Sequence, residues 1–324
     1  MIDRFLLAGL ALAASSLLVA ADVPPTPVAP ATFVAWEPSG VGRSIKANGL
    51  VAVNTTGPVP CPGSRAATPS GRCIVPVARV TSGDGATIDL KGGVREVGSA
   101  TGPAARLAIG PLDGGRAGAI LTSFSGGAHC CESYAVAVRQ GAGWRRIEVA
   151  RTETTDQGPV RQTDFNYGLK GFPTDLDGDG HADFVIGDDA FAYAFTDYAD
   201  SWTPPVILNV AGDGFADVSR RPAFRRLFAA DMAKARQGCV APSAGRSPNG
   251  ACAAYAADAA RTGRFAAAWP DVIARYDRSS DADGYPRCTT ADAAGHCSPE
   301  HEVRYANYPA ALRAFLIRTG YLQR

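Results

Sequence analysis

The chain of 324 residues has almost no charge imbalance, with 32 Lys and Arg against 31 Asp and Glu for a net charge of +1. That balance provides no global pull toward nucleic acid or an anionic membrane surface, so neither is expected as a partner. Long apolar runs are missing beyond the N-terminus, where no stretch approaches the ~20 residues of a membrane span. GxSxG, HExxH, P-loop and GxGxxG arrangements are also missing in their required contexts, which removes the chemistries they define without excluding an enzyme. At 46% hydrophobic and 19% charged residues, the composition is too apolar for disorder throughout. The length points to about two domains.

Residues 1–21 read as a secretory signal: Arg4 near the start, the apolar stretch FLLAGLALAASSLLVA, and Val19 and Ala21 placed for cleavage before Asp22. A retained membrane anchor is the alternative, and the shortness of the stretch favours cleavage. No cysteine follows it, which argues against a lipoprotein anchor. The expected location is periplasmic or secreted, with no membrane span after cleavage. Export places the eight cysteines in an oxidising space, where an even count points to disulfides. Cys61/Cys73, Cys239/Cys252 and Cys288/Cys297 each bracket a short Gly-, Pro- or Ser-containing stretch and are expected as local staples. Cys130 and Cys131 remain. Adjacent Cα atoms are about 3.8 Å apart whereas disulfides prefer about 5.5–6 Å, so a strained vicinal bond, two longer bridges, and thiols or a metal site all stay open.

Residues 22–31 form a Pro-rich linker that favours extended backbone. Over 32–219, short apolar runs are punctuated by Gly, Pro, Asn and Asp, as expected of a β domain. The predicted strands include 49–54, 74–80, 134–139, 145–150, 183–187, 191–195 and 205–210. Over 220–324 the spacing turns helical, with predicted helices over 222–237, near 250–262, over 264–276 with a break or kink at Pro270, and over 307–319. The fold class expected is mainly β, with partial or irregular propeller-like repeat sheets and a small disulfide-bonded helical C-terminal region. A faint repeat supports the sheets. PLDGGRAGAILTS (111–123) aligns with DLDGDGHADFVIG (175–187), each placing a Gly/Asp turn before a β-run, and GDGFADVS (212–219) is a shorter echo.

The sharpest motif is the loop Asp175, Asp177, Asp179, His181, Asp183. Carboxylates at positions 1, 3, 5 and 9, with Gly at 4 and 6, can wrap around a hard cation while the glycines permit the tight turn. Oxygen ligands favour Ca²⁺ over zinc or copper. His181 at position 7 is expected to contribute its backbone carbonyl. Position 12 is Ile186, not Glu, and the flanks read as strands, so this is not an EF-hand. The aligned copy retains Asp113 but has Gly115 and Ala119, which marks it as a metal-free turn. Asp277, Asp281 and Asp283 form a weaker third candidate.

DLDGDGHADFVIG resembles the calcium loop of FG-GAP or VCBS repeats, the blade units of integrin-α-type propellers. Together with SGGAHCCESYAVAV, the stretch over roughly 105–220 also resembles a group of exported bacterial proteins. The resemblance implies a calcium-bound β-sheet repeat. It implies no particular activity, because such units occur in adhesion proteins, lectin-like binders and enzymes alike. Two or three copies are too few for an ordinary closed propeller.

Two further features bear on function. Residues 171–219 hold ten Asp and no Glu, Lys or Arg, whereas 220–324 hold 16 basic and nine acidic residues. Docking of the acidic face on the basic tail and separately solvated surfaces are both open. His129 beside Cys130 and Cys131 is the cluster with chemical potential, as a structural loop, a nucleophile or a metal site. Asp188 and Asp189 before Phe191, Tyr193 and Phe195 have the alternation of a sugar-stacking strand or of one buried sheet face. No catalytic residue is assigned. The expected function is an exported calcium-binding module for a cell-envelope polymer or a protein, with a secreted hydrolase active near the acidic loop as the alternative.

Overall fold

The computed structural model describes residues 33–36, 42–61, 72–96, 105–124, 132–155, 158–166, 168–169, 171–282, 284–290, 292 and 296–323. The signal at 1–21, the linker at 22–31, and His129, Cys130 and Cys131 lie outside them.

The β region is a stack of antiparallel sheets. Its outer sheet orders Ser44–Ala47, Leu50–Asn54, Val77–Ser82 and Thr87–Lys91. The central sheet orders Val34–Ala35, Ala105–Asp113, Arg116–Phe124, Glu132–Gln140 and Gly143–Ile147, with Asp164–Phe165 also pairing Glu132–Gln140. A third sheet orders Asp183–Gly187, Pro205–Ala211 and Gly214–Asp217.

Side chains alternate across a sheet, and here both faces of the central sheet are covered. Leu107, Ile109, Ala119, Leu121 and Ala137 pack with Leu50, Ala52, Val80 and Leu90 of the outer sheet around Trp36. On the opposite face, Ile120, Val136, Val138 and Ile147 pack with Phe184, Ile186, Val206 and Leu208 of the third sheet. Double burial explains why the central strands read as near-continuous apolar runs. The third sheet in turn presents Val185 and Ile207 to Phe224, Leu227 and Phe228 at the start of the helical region.

Four helices follow: α1 (Arg225–Val240), α2 (Asn249–Arg261), α3 (Phe265–Arg275) and α4 (Tyr308–Arg318). Residues of α2 are buried from Asn249 through Ala259, and its run of alanines allows close approach by its neighbours. Gly250 is required there, because a Cβ would stand 2.2 Å from the Asp200 carbonyl oxygen. Around α2 gather Val272 of α3, Tyr308, Leu312, Phe315 and Leu316 of α4, and Phe191 from the β region. A hairpin of Tyr285–Cys288 and Glu302–Tyr305 precedes α4. Among the described residues no helix is long and apolar enough to cross a membrane.

The three local staples form as expected, as Cys61–Cys73, Cys239–Cys252 and Cys288–Cys297. Other expectations need correction. The run 74–80 divides at Pro76, which has no N–H to donate to a ladder; Arg72–Val75 joins a small sheet with Gly57–Pro60 and Arg95–Glu96, while Val77–Ser82 joins the outer sheet. The strand predicted over 191–195 is absent: Asp189–Phe191 is a 3₁₀ turn and Tyr193 has a φ of 58°. Helix α3 continues through Pro270 without a break.

Leu121 is fully buried between the outer and central sheets. Leu121→Ala is expected to cost about 2–5 kcal/mol in denaturant unfolding, as large-to-small changes in close-packed cores do. Ile273→Ala, at a partly exposed position of α3, should cost far less.

Candidate metal centre

The acidic loop leads directly into the first strand of the third sheet, and its geometry follows from short-range hydrogen bonding. Asp175 accepts from the backbone N–H of Gly178 at 2.7 Å and Asp179 at 3.1 Å through Oδ1, and from Gly180 at 2.9 Å through Oδ2. Gly178 and Gly180 have φ values of 79° and 87°, where a side chain would be strained. The glycines therefore serve the turn that their spacing predicts.

Asp175, Asp177 and Asp183 each offer a carboxylate oxygen, and the three atoms lie within 4.8 Å of one another. Asp183 is buried. Its Oδ2 accepts from Leu176 N at 2.7 Å, and its Oδ1 has no hydrogen-bond partner. Burial, together with the charges of Asp177, Asp179 and Asp175, pushes its carboxyl up to about 6. A buried carboxylate with an orphaned oxygen, clustered with two more carboxylates, is a donor set suited to a hard cation.

Asp179 stands outside this triad. Its Oδ1 accepts from His181 N, while Oδ2 faces Asn209 Nδ2 at 3.3 Å and Arg221. The His181 ring turns toward the aligned copy of the motif, with Nδ1 2.7 Å from Asp113 Oδ1 but without hydrogen-bond alignment. Arg116 and Arg145 donate to the other oxygen of Asp113. The two repeat turns thus touch, and Ala182 N donates to Leu112 O at 2.9 Å.

Arg221 was not picked out from sequence. It reaches from the start of the helical region and donates to both Asp177, at 2.8 Å, and Asp179. Arg246 likewise pairs with Asp200 at 2.6 Å. The signal was the switch from an Asp-only block to Arg220 and Arg221, and the acidic face does dock on the basic tail. In the third candidate cluster, Asp277 accepts from Ser279, and Asp281 from Tyr276 and the Tyr308 N–H. Asp283 lies outside the described residues.

Residues 228–320 match the family described as the sll0997 C-terminal domain. This match falls on the helical region and lies outside the acidic loop. A probable thylakoid lumen protein, sll0997, of Synechocystis is 33% identical over 209 residues, which are 63% of this chain and 56% of that protein. An uncharacterized protein of Sinorhizobium fredii, y4bJ, is 34% identical over 207 residues, 63% of this chain and 30% of that protein. The chain therefore spans about half the length of one curated relative and under a third of the other. No solved structure matches it.

The aromatic run after Asp188 is not a sugar platform on a strand. Phe191 and Phe195 pack edge-on against Phe315 of α4, at 4.8 and 5.1 Å between ring centroids. Asp188, fully buried, receives two hydrogen bonds from Arg151, at 2.6 and 3.1 Å, and one from Tyr321 Oη at 2.7 Å. Burial alone would raise its pKa, but the Arg151 charge and these donors hold it below the usual carboxylate range. Asp189 Oδ2 accepts from Asn166 N at 2.8 Å.

Two predictions follow from the buried carboxyls. Asp188→Ala strands the Arg151 guanidinium and is expected to cost about 3–5 kcal/mol in denaturant unfolding, whereas Tyr321→Phe should cost only about 1–3 kcal/mol. Asp258 of α2 is buried beside Asp231 of α1, and burial followed by that neighbour's charge pushes it up to about 9 from an ordinary 3.8. A folded value above the unfolded one makes its contribution complete below about pH 4 and progressively lost as pH rises toward 9. Asp258→Asn is expected to flatten this decline in unfolding free energy measured across that range.

Proposed function

We propose that the chain is an exported calcium-binding β-repeat protein that acts as a binding or interaction module at the cell envelope. The observation carrying the calcium reading is the buried Asp183 carboxylate, which has an unpartnered oxygen and is clustered with the carboxylates of Asp175 and Asp177. A bound cation would neutralise this cluster. Asp175 and Asp177 would then be tied to the first residue of a core strand, because Asp183 begins Asp183–Gly187. Asp179, Arg221 and Asn209 close the outer side of the loop.

The FG-GAP or VCBS reading is supported by three antiparallel sheets stacked face to face, with an acidic turn leading into the third. A propeller-like arrangement is proposed on this stacking. The helical region packs on the remaining face of the third sheet. Extracytoplasmic location is supported by three disulfides, by the N-terminal apolar stretch, and by a relative described as a probable thylakoid lumen protein. The ligand proposed for the module is a cell-envelope polymer or a protein.

Calorimetric titration of CaCl₂ into the oxidised protein is expected to show about one equivalent bound, with a higher melting temperature in calcium than in chelator. Asp183→Asn should weaken the affinity by about tenfold or more, through loss of ligand charge. Asp213→Asn, at an exposed turn, should leave it unchanged. Equal affinity in wild type and Asp183→Asn would overturn the assignment.

A further inference from the structure

Where the third sheet meets α1, α2 and the C-terminal residues, there is a cavity of about 280 Å³ with five arginines in its lining: Arg151, Arg220, Arg221, Arg225 and Arg261. Its size is at the small end of ligand sites. Two of the five are neutralised within the protein, Arg151 by Asp188 and Arg221 by Asp177 and Asp179. The other three make no ion pair among the described residues, although Arg261 lies within electrostatic range of Asp188 and Asp258. Arg220 donates to the Gly320 carbonyl at 3.1 Å, and Arg261 donates to the Pro205 carbonyl while lying over the rings of Phe228 and Tyr321, 4.8 and 4.3 Å from their centroids. Arg225, the first residue of α1, is exposed and has no carboxylate partner among the described residues. Asp217 also lines the cavity, and its carboxylate, which accepts from Ser219 N, offsets one of these positive charges.

With Arg220 and Arg225 outside any ion pair among the described residues, the five arginines leave an excess of positive charge around one small cavity, which an entering anion would offset. Cationic ligands are disfavoured on the same ground. Guanidinium forks match the oxygens of phosphate and carboxylate. Donors that approach from three separate chain positions (Arg220, Arg225 and Arg261) can each engage a different oxygen of a tetrahedral anion, whereas a planar carboxylate has only two oxygens to share. We propose that this cavity is a binding site for a phosphate group, either as the free ion or carried by a larger molecule. The cavity lining does not include the calcium triad, and Arg221 links the two through its pairs with Asp177 and Asp179.

The test is calorimetric titration of the oxidised full chain with inorganic phosphate and with glycerol 3-phosphate, at about 0.15 M salt so that distant exposed charges are screened. Saturable binding at one equivalent is expected for at least one probe, with sulfate competing and acetate not. Tighter binding of glycerol 3-phosphate would identify a phosphoryl group on a larger molecule, and equal binding the free ion. The double variant R220Q/R225Q, at two exposed positions, should melt like wild type and bind about tenfold or more weakly. Lys234→Gln removes a positive charge outside the cavity and should bind as wild type does. The proposal is overturned if neither probe binds saturably, if acetate binds as tightly as phosphate, or if R220Q/R225Q retains wild-type affinity.

Discussion

A carboxylate that water cannot reach has to be paired, and much of this molecule converges on one such group. Asp188 follows the first strand of the third sheet, Arg151 begins the hairpin after the central sheet, and Tyr321 lies beyond the last helix. Their hydrogen bonds join three regions that are far apart in the chain. Apolar packing between these layers has no directional preference. The charged group supplies one, because only a narrow range of relative positions satisfies both oxygens of Asp188.

Much of the architecture was legible because its causes are local. Residues 183–187 and 205–210 carry their β-branched and aromatic side chains in runs of strand length, and both are strands. The apolar faces at 224–232 and 308–316 have helical spacing, and both form helices. Short cysteine spacings around turn-forming residues identified all three described disulfides. What was not legible depends on partners. Phe191, Tyr193 and Phe195 alternate like a strand, yet Phe191 and Phe195 are claimed by α4, more than 100 residues away, and the backbone turns to reach it. Pro76 divides two strands of different sheets, and periodicity alone does not separate the halves.

The acidic loop shows the same boundary. Its carboxylate spacing placed Asp175, Asp177 and Asp183 together, since residue pattern and glycine positions dictate a tight turn. It did not anticipate that Asp179 would turn toward Arg221 and Asn209, because those residues come from other parts of the chain. The repeat alignment carried more information than its faint similarity implied. Leu112 and Ala182, from the two copies, are joined by a backbone hydrogen bond, so the internal similarity corresponds to adjacent turns of two stacked sheets.

The three described disulfides close loops with sequence separations of 12, 13 and 9 residues. Each lies within a single element group: the small sheet, the α1–α2 pair and the hairpin before α4. None of the three links one layer of the stack to another. Under mechanical load along the chain, the layers would therefore part by shearing side-chain contacts and the Asp188 pairing, with no covalent bond of these three in the path. Each stapled unit would come away intact, so oxidation protects the parts of this molecule more than it protects their assembly.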